Sequence, residues 1–225
     1  MILKNRRVYA DCSYQYYSGA IDLSDVCTFD GNYERTIYCV EGSCIVDNLR
    51  LNAGDSLEVK NHVFSIYGDA YVFIAQVPST DNDHYFKYTK AGDHYKVTKP
   101  WGYELWINGE HPKYAFKEIV ITEGNQCSLQ YHNFKEETIY LYEGLATWVY
   151  KDDDSINNDD VISDDLAHIP FKSGDFKHVK PKVLHRVKAQ TDIKMLEVST
   201  PYLNDVIRVQ DDQQRPDGKI ESEHK

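Results

Sequence analysis

The chain has 225 residues, 41% of them hydrophobic, and a formal net charge of −11. That length holds one large β domain or two small ones with a sizeable core. The acidic balance argues against nucleic acid, whose phosphate backbone demands basic surface, but leaves room for a small phosphorylated molecule in a local basic pocket.

In chain order, MILKNRRVYADC has no apolar signal stretch, and no apolar run reaches the length of a bilayer span. The five cysteines lack CxxC or close Cys/His spacing, which reads as reduced thiols in a cytoplasmic protein without membrane partners. Residues 1–26 show little periodicity. From Asn32 short alternating runs follow: ERTIYCVEG, CIVDNLRLNAGD, SLEVKNHVFSIYGD and AYVFIAQVP. Gly42, Gly54-Asp55 and Gly68-Asp69 punctuate them as turns. The polar run Ser79–Tyr95 lacks alternation, so residues 81–98 are expected to link two halves, 1–80 and 99–210. After KPWGYELW come YAFKEIVI, GNQCSLQYHNFKEETIYLYEG and LATWVYKDDD. An acidic run, Asp152–Asp165, is expected to be a solvated loop. FKSGDFKHVKPKVLHRV and IKMLEVSTPYL are further strands, and the charged residues 211–225 are expected to fray.

The stretch Gly124–Gly144 carries the chemistry. Gln130 and His132, two apart, share a face of a strand. Asn133 to Glu136 form a turn, and Glu137 opens the next run with Ile139 and Leu141 on its face. Downstream, Val183, His185 and Val187 alternate, so His185 points inward. Amide, imidazole and carboxylate together suit a divalent ion such as zinc or manganese. His62, His84, His94, His111, His168, His178 and His224 lack partnered spacing and are expected at the surface.

The two halves resemble each other. ERTIYCVEG at 34–42 matches EETIYLYEG at 136–144 in six of nine positions. AGDSLEVKNHVFSI at 53–66 matches SGDFKHVKPKVLHR at 173–186, and QVPST at 76–80 falls opposite EVSTP at 197–201. The counterparts of Gln130, His132, Glu137 and His185 are Thr28, Asp30, Arg35 and Ser65. The first copy keeps the frame and lacks the ligands, which assigns it a supporting or dimerising role.

Gly124, His132, Glu137 and Gly144, then Gly174 and His185, resemble the two motifs of the cupin superfamily. Phe134 stands in the place of the second motif histidine, and Lys180 and Lys182 in the proline and glycine places. The resemblance implies an all-β fold of two tandem cupin (jelly-roll) barrels. KPWG, SLQYH, the EET run and MLEVSTPYLNDVIRVQDD, within residues 99–215, are similar to the cupin domain of mannose-6-phosphate isomerases. That resemblance implies the ligand set Gln130, His132, Glu137 and His185 around one divalent ion, zinc first, with manganese, iron or nickel as alternatives.

It also implies an aldose–ketose isomerase acting on a sugar phosphate. Such chemistry needs a metal to polarise the carbonyl and a group to carry a proton between C2 and C1. The isomerases carry a lysine two residues before the ligand glutamate, which makes Lys135 the catalytic candidate, with Glu136 the weaker one. Lys99 and Arg208 are the expected phosphate-binding cations. Arg186 follows inward His185, so it points away. Trp101 and Tyr103 are expected in the barrel wall rather than against a sugar. Two other readings stand beside this one: a non-catalytic sugar-binding module, and an iron-dependent oxygenase, disfavoured by the amide ligand. A homodimer paired through apolar outer faces is a further expectation.

Overall fold

The alternating runs fold as strands, and the described residues contain no α-helix. The computed structural model describes residues 4–9, 14–24, 26–151 and 166–224, so the acidic run at 152–165 lies outside the described residues. The chain divides into two compact units, Met1–Tyr95 and Lys96–Lys225.

The first unit contains β1 (Lys4–Tyr9), β2 (Gln15–Ile21), β3 (Cys27–Phe29), β4 (Tyr33–Val46), β5 (Leu49–Asn52), β6 (Ser56–Lys60), β7 (Phe64–Pro78) and β8 (Tyr85–Thr89). Its sheet is built on β4 and β7, paired antiparallel from Tyr33↔Pro78 to Val46↔Ile66. The first half of β4 also pairs with β6 and the second half with β5. Ile37 and Cys39 from one half, and Cys44 and Val46 from the other, meet in one core with Leu57, Phe64 and Ile74. Only a sheet curled on itself can bury both halves together. The register break between Cys39 and Glu41 supplies the bend, as bulges do.

The second unit contains β9 (Tyr95–Lys99), β10 (Gly102–Asn108), β11 (Ala115–Ile121), β12 (Leu129–Tyr131), β13 (Glu137–Glu143), β14 (Leu145–Lys151), β15 (Ala167–Lys172), β16 (Phe176–Val179), β17 (Leu184–Ala189), β18 (Ile193–Ser199) and β19 (Ile207–Gln210). They form two sheets, ordered β16-β13-β18-β11-β10-β9 and β15-β14-β17-β12-β19. Ile121, Ile139, Leu141 and Met195 of the first sheet pack against Trp148, Phe171, Val187 and Ala189 of the second. Burying each large apolar side chain stabilises the layer contact by about 1.5–3 kcal/mol. The polar end of this two-layer core, where Glu137 and His185 replace apolar residues in the same alternation, is where the site forms.

The internal repeat is visible in the ladders. Arg35 faces Val59 as Glu137 faces Val179, and Thr28 faces Ser65 as Gln130 faces His185. Gly42 and Gly144 both take positive φ, and a Cβ there would lie 2.2 and 2.3 Å from the carbonyl oxygens of Asp69 and Asp192. That is a contact only glycine allows. The third sequence match needs correction. Arg35 pairs with Gln76 and Glu137 with Ser199, so Gln76 corresponds to Ser199, and Glu197 corresponds to Ile74.

Other expectations are also revised. Within residues 1–26, β2 pairs with β7 along its whole length. The supposed linker contains β8, which pairs with β6 from Ser56↔Thr89 to Lys60↔Tyr85. Its exposed edge position explains why no alternation marks it. Residues 211–224 make polar contacts with the unit: Arg208 donates to the Pro216 and Gly218 carbonyls, and Arg215 pairs with Asp211 and Glu223. His94 is buried with Nε2 3.0 Å from the Gly54 carbonyl. The His178 side chain is also buried, 2.9 Å from Glu136.

Candidate metal centre

Strand alternation brings three of the expected ligands together. Glu137 Oε1 lies 2.9 Å from His185 Nε2 and 3.5 Å from His132 Nε2. His132, Glu137 and His185 are all buried, and their ligand atoms lie within 4.8 Å of one another. Bonds of about 2.1 Å to a common ion separate neighbouring ligand atoms by about 3.0–3.4 Å, so these spacings fit the edges of a coordination shell.

The chemistry of the rings agrees. His132 Nδ1 hydrogen-bonds the Asp205 carbonyl, and His185 Nδ1 lies 3.0 Å from the Val183 carbonyl. A carbonyl only accepts, so each Nδ1 carries a proton and each ring turns Nε2 toward Glu137. Ligand histidines are oriented in this way. His132 Nε2 is buried without a hydrogen-bond partner, a cost of about 1–3 kcal/mol that an ion would remove. These residues fit a divalent metal.

Gln130 sits opposite His185 in the β12–β17 register and lines the same cavity of about 110 Å³. Its Oε1 accepts from Ser128 Oγ at 2.6 Å. Lys182 stands where the cupin motif has glycine and has φ 70°, the left-handed conformation that glycine would adopt without strain. Its N–H donates to the His132 carbonyl at 2.7 Å, so the turn is tied directly to a ligand.

Lys135 is buried, ion-paired with Glu137 and 2.8 Å from Glu197. Burial works against its charge, but the two carboxylates prevail and raise its pKa. Glu137 mirrors it. Burial opposes its ionisation, yet the Lys135 ammonium and the neighbouring His132 hold it well below the usual carboxylate range. The Glu136 carboxylate turns instead to His178.

Lys99 and Arg208 line the cavity along with Lys117 and Arg215. Lys99 pairs with Glu223 at 2.8 Å and Glu104 at 3.4 Å. Burial opposes the charge of Glu104, and Lys117 and Lys99 overrule it, lowering its pKa to about 2. Arg186 turns away as expected and is held by Gln210. Trp101 is buried in the core wall.

Sequence reasoning missed Asp205, Glu197, Arg215 and Glu223. The Asp205 carboxylate accepts the backbone N–H groups of Asn133, Phe134 and Lys135 at 3.0, 2.5 and 2.9 Å, fixing the whole turn between His132 and Glu137. Glu197 was legible, since Ile193, Met195 and Glu197 alternate on the inward face of β18. Asp205 and Glu223 act across long sequence separations and leave no local pattern.

No family model matches the sequence, and neither does any curated protein. The fold does match solved structures. A mutant of oxalate decarboxylase from Bacillus subtilis aligns over 88% of this chain and 71% of its own, with a TM-score of 0.65 and 9% identity. Protein Ylba from E. coli aligns over 87% and 81%, with a TM-score of 0.65 and 12% identity. These likenesses establish the cupin fold. At such identities they carry no activity across. Another structure of the Bacillus enzyme is described by its Mn(II) centres. Among the described residues, no helix is long and apolar enough to cross a membrane.

Proposed function

We propose that the two units are tandem cupin barrels and that the second, holding one divalent metal ion on Gln130, His132, Glu137 and His185, isomerises a sugar phosphate. The observation that carries this reading is the convergence of His132, Glu137 and His185 with both imidazoles pinned at Nδ1. The matched ladders support the duplication, and alignment over 88% of the chain exceeds what either unit could supply alone.

The bound metal would polarise the sugar carbonyl as a Lewis acid. Zinc suits the donor set, and the neighbour's Mn(II) brings manganese level with it. The chain's own residues handle the proton. Glu197 lines the cavity and is not among the ligands. Its carboxylate takes the proton from C2 and returns it to C1, while Lys135 gives a proton to O1 and takes the O2 hydroxyl proton in return. Lys135, held charged between Glu197 and Glu137, orients that carboxylate and offers an N–H to the substrate oxygen. Lys99 and Arg208 belong to the cation cluster that would receive the phosphate.

The test is elemental analysis of the purified protein, then a screen of aldose and ketose phosphates with wild type and His132→Ala side by side. About one metal per chain and turnover lost in the variant are expected. Metal-loaded wild type inert to the whole panel overturns the isomerase. The pinned ammonium of Lys135 favours a second reading, a non-catalytic sugar-binding cupin, for which saturable binding without turnover is the signature.

A further inference from the structure

Residues 211–224 bring a carboxylate to the cation cluster of the cavity. Glu223 Oε2 lies 2.8 Å from Lys99 Nζ, and Glu223 Oε1 lies 3.2 Å from Arg215 Nη1. The side chains of Lys99, Arg215 and Glu223 are only 8, 10 and 12% exposed. Lys99 and Arg215 line the same cavity as Gln130, Glu137 and His185. Two cations closing on the two oxygens of one carboxylate, beside a candidate metal centre, form a ready-made oxyanion clamp.

The clamp is one part of a wider ionic network. Lys99 and Lys117 share Glu104 at 3.4 and 3.2 Å. Arg215 and Arg208 share Asp211 at 2.6 and 3.9 Å. Lys99, Lys117, Arg208 and Arg215 thus face Glu104, Asp211, Glu223 and, beside Arg208, Asp217. With Glu223 withdrawn, the cations outnumber the remaining carboxylates, an excess that suits an anion such as a phosphate monoester.

Glu223 is also more readily withdrawn than Glu104. Glu104 lies within β10, whereas Glu223 belongs to a three-residue 3-10 turn with no buried residue. The described contacts of this segment are mostly polar: Arg208 to the Pro216 and Gly218 carbonyls, Gly218 N–H to the Val206 carbonyl at 2.8 Å, and Glu223 itself. His224 adds a ring contact with Trp106, centroids 5.4 Å apart. Segments with little buried apolar surface open at small free-energy cost.

We propose that Lys99 and Arg215 are the phosphate-binding subsite of the second unit's cavity, that Glu223 occupies it as an internal stand-in, and that an incoming sugar phosphate displaces Glu223 and frees residues 219–224. The proposal rests on reading this cavity as a sugar-phosphate site, and adds the residue that guards it and the group it competes with.

The test is calorimetric titration of the full, metal-loaded chain with mannose 6-phosphate, glucuronate and neutral mannose. Glu223→Gln removes the competing charge and should bind mannose 6-phosphate about tenfold tighter than wild type, with mannose unchanged. Arg215→Gln should bind it at least tenfold more weakly. Circular dichroism and melting confirm that each variant is folded. Wild-type Trp fluorescence should shift on saturation with the phosphate as His224 leaves Trp106, and Glu223→Gln should show the shifted signal beforehand. Unchanged or weaker phosphate binding by folded Glu223→Gln overturns the proposal. A gain for glucuronate alone overturns the phosphate assignment. His132→Ala, altered outside the cavity lining, separates the two readings. Phosphate binding retained there and in an inert wild type sinks the isomerase and keeps the subsite. Turnover in a Glu223→Gln protein of unaltered affinity does the reverse.

Discussion

The first unit sets an arginine at the ladder position where the second sets its candidate ligand glutamate. Where the second unit sets Glu137 between two imidazoles, the first sets Arg35, buried and aimed at Asp30, the counterpart of His132, at 2.9 Å. Arg35 also donates to Gln76 at 2.7 Å and stacks over Tyr33, with its guanidinium carbon 4.6 Å from the ring centroid. Tyr33 stands where Lys135 stands, and Ile74 where Glu197 stands. Thr28 and Ser65, opposite each other as Gln130 and His185 are, bond through their hydroxyls at 3.1 Å. A cation built into the chain ties Asp30, whose carboxylate reaches solvent, to the buried Gln76. The frame is therefore indifferent to the chemistry, and the chemistry resides in a handful of inward positions.

That contrast can be broken by exchanging residues. The largest effect is expected from His185→Ser, which installs the first unit's residue. Metal affinity should fall at least a hundredfold, read as loss of stoichiometric metal by elemental analysis, with the fold kept by circular dichroism. A variant still holding one equivalent would show that the centre lies elsewhere.

Acid should then strike the second unit harder. The Glu104 carboxyl, lowered to about 2 from an ordinary value near 4.5, contributes stability that is complete above about 4.5. That stability is lost as pH falls toward 2. Its share is on the order of 3 kcal/mol. Urea melts of Glu104→Gln across that window should show a flatter acid limb than wild type and lower stability at neutral pH. Parallel acid limbs would deny Glu104 that role.

Arg35→Ala should cost the first unit about 1–3 kcal/mol, because it leaves the buried Gln76 oxygen without its donor and removes the stack on Tyr33, while the exposed Asp30 stays solvated. Metal content should not move. A loss of metal would mean the two units are coupled.

The smallest effect belongs to Asp205→Ala. It frees three backbone N–H groups in the turn that carries His132, while the main-chain carbonyl bonded to that ring remains. Metal affinity should drop about 10–100-fold, as for other groups that orient ligands. Competition with a chelator would measure it, and an unaltered affinity would assign Asp205 to the turn alone.

Much of this contrast was legible in the sequence. Glu137 with Ile139 and Leu141, and His185 with Val187, announce inward faces by period-two alternation, and the near-identity of ERTIYCVEG and EETIYLYEG exposes the duplication. The register of the third match was not legible. VPST and VSTP are too alike to fix a slip of two residues, which only the Arg35↔Gln76 and Glu137↔Ser199 pairs decide. β8 escaped because an edge strand whose side chains are half or fully exposed has no apolar face to advertise. The polar segment 211–224 escaped for a related reason. It is held by ion pairs and carbonyl bonds whose partners lie as far off as Lys99, and composition alone cannot tell such a segment from a solvated tail.

The clamp of Asp205 on the turn after His132 spans about seventy residues. Contacts of such separation form late, because the intervening chain must be ordered before its ends meet. A nascent chain that has already exposed His132 and Glu137 therefore still has an unfixed turn, and Glu137 still waits for His185. Capture of an ion would then be among the last events of maturation, because both His185 and the carboxylate that fixes the turn arrive only with the C-terminal third of the chain.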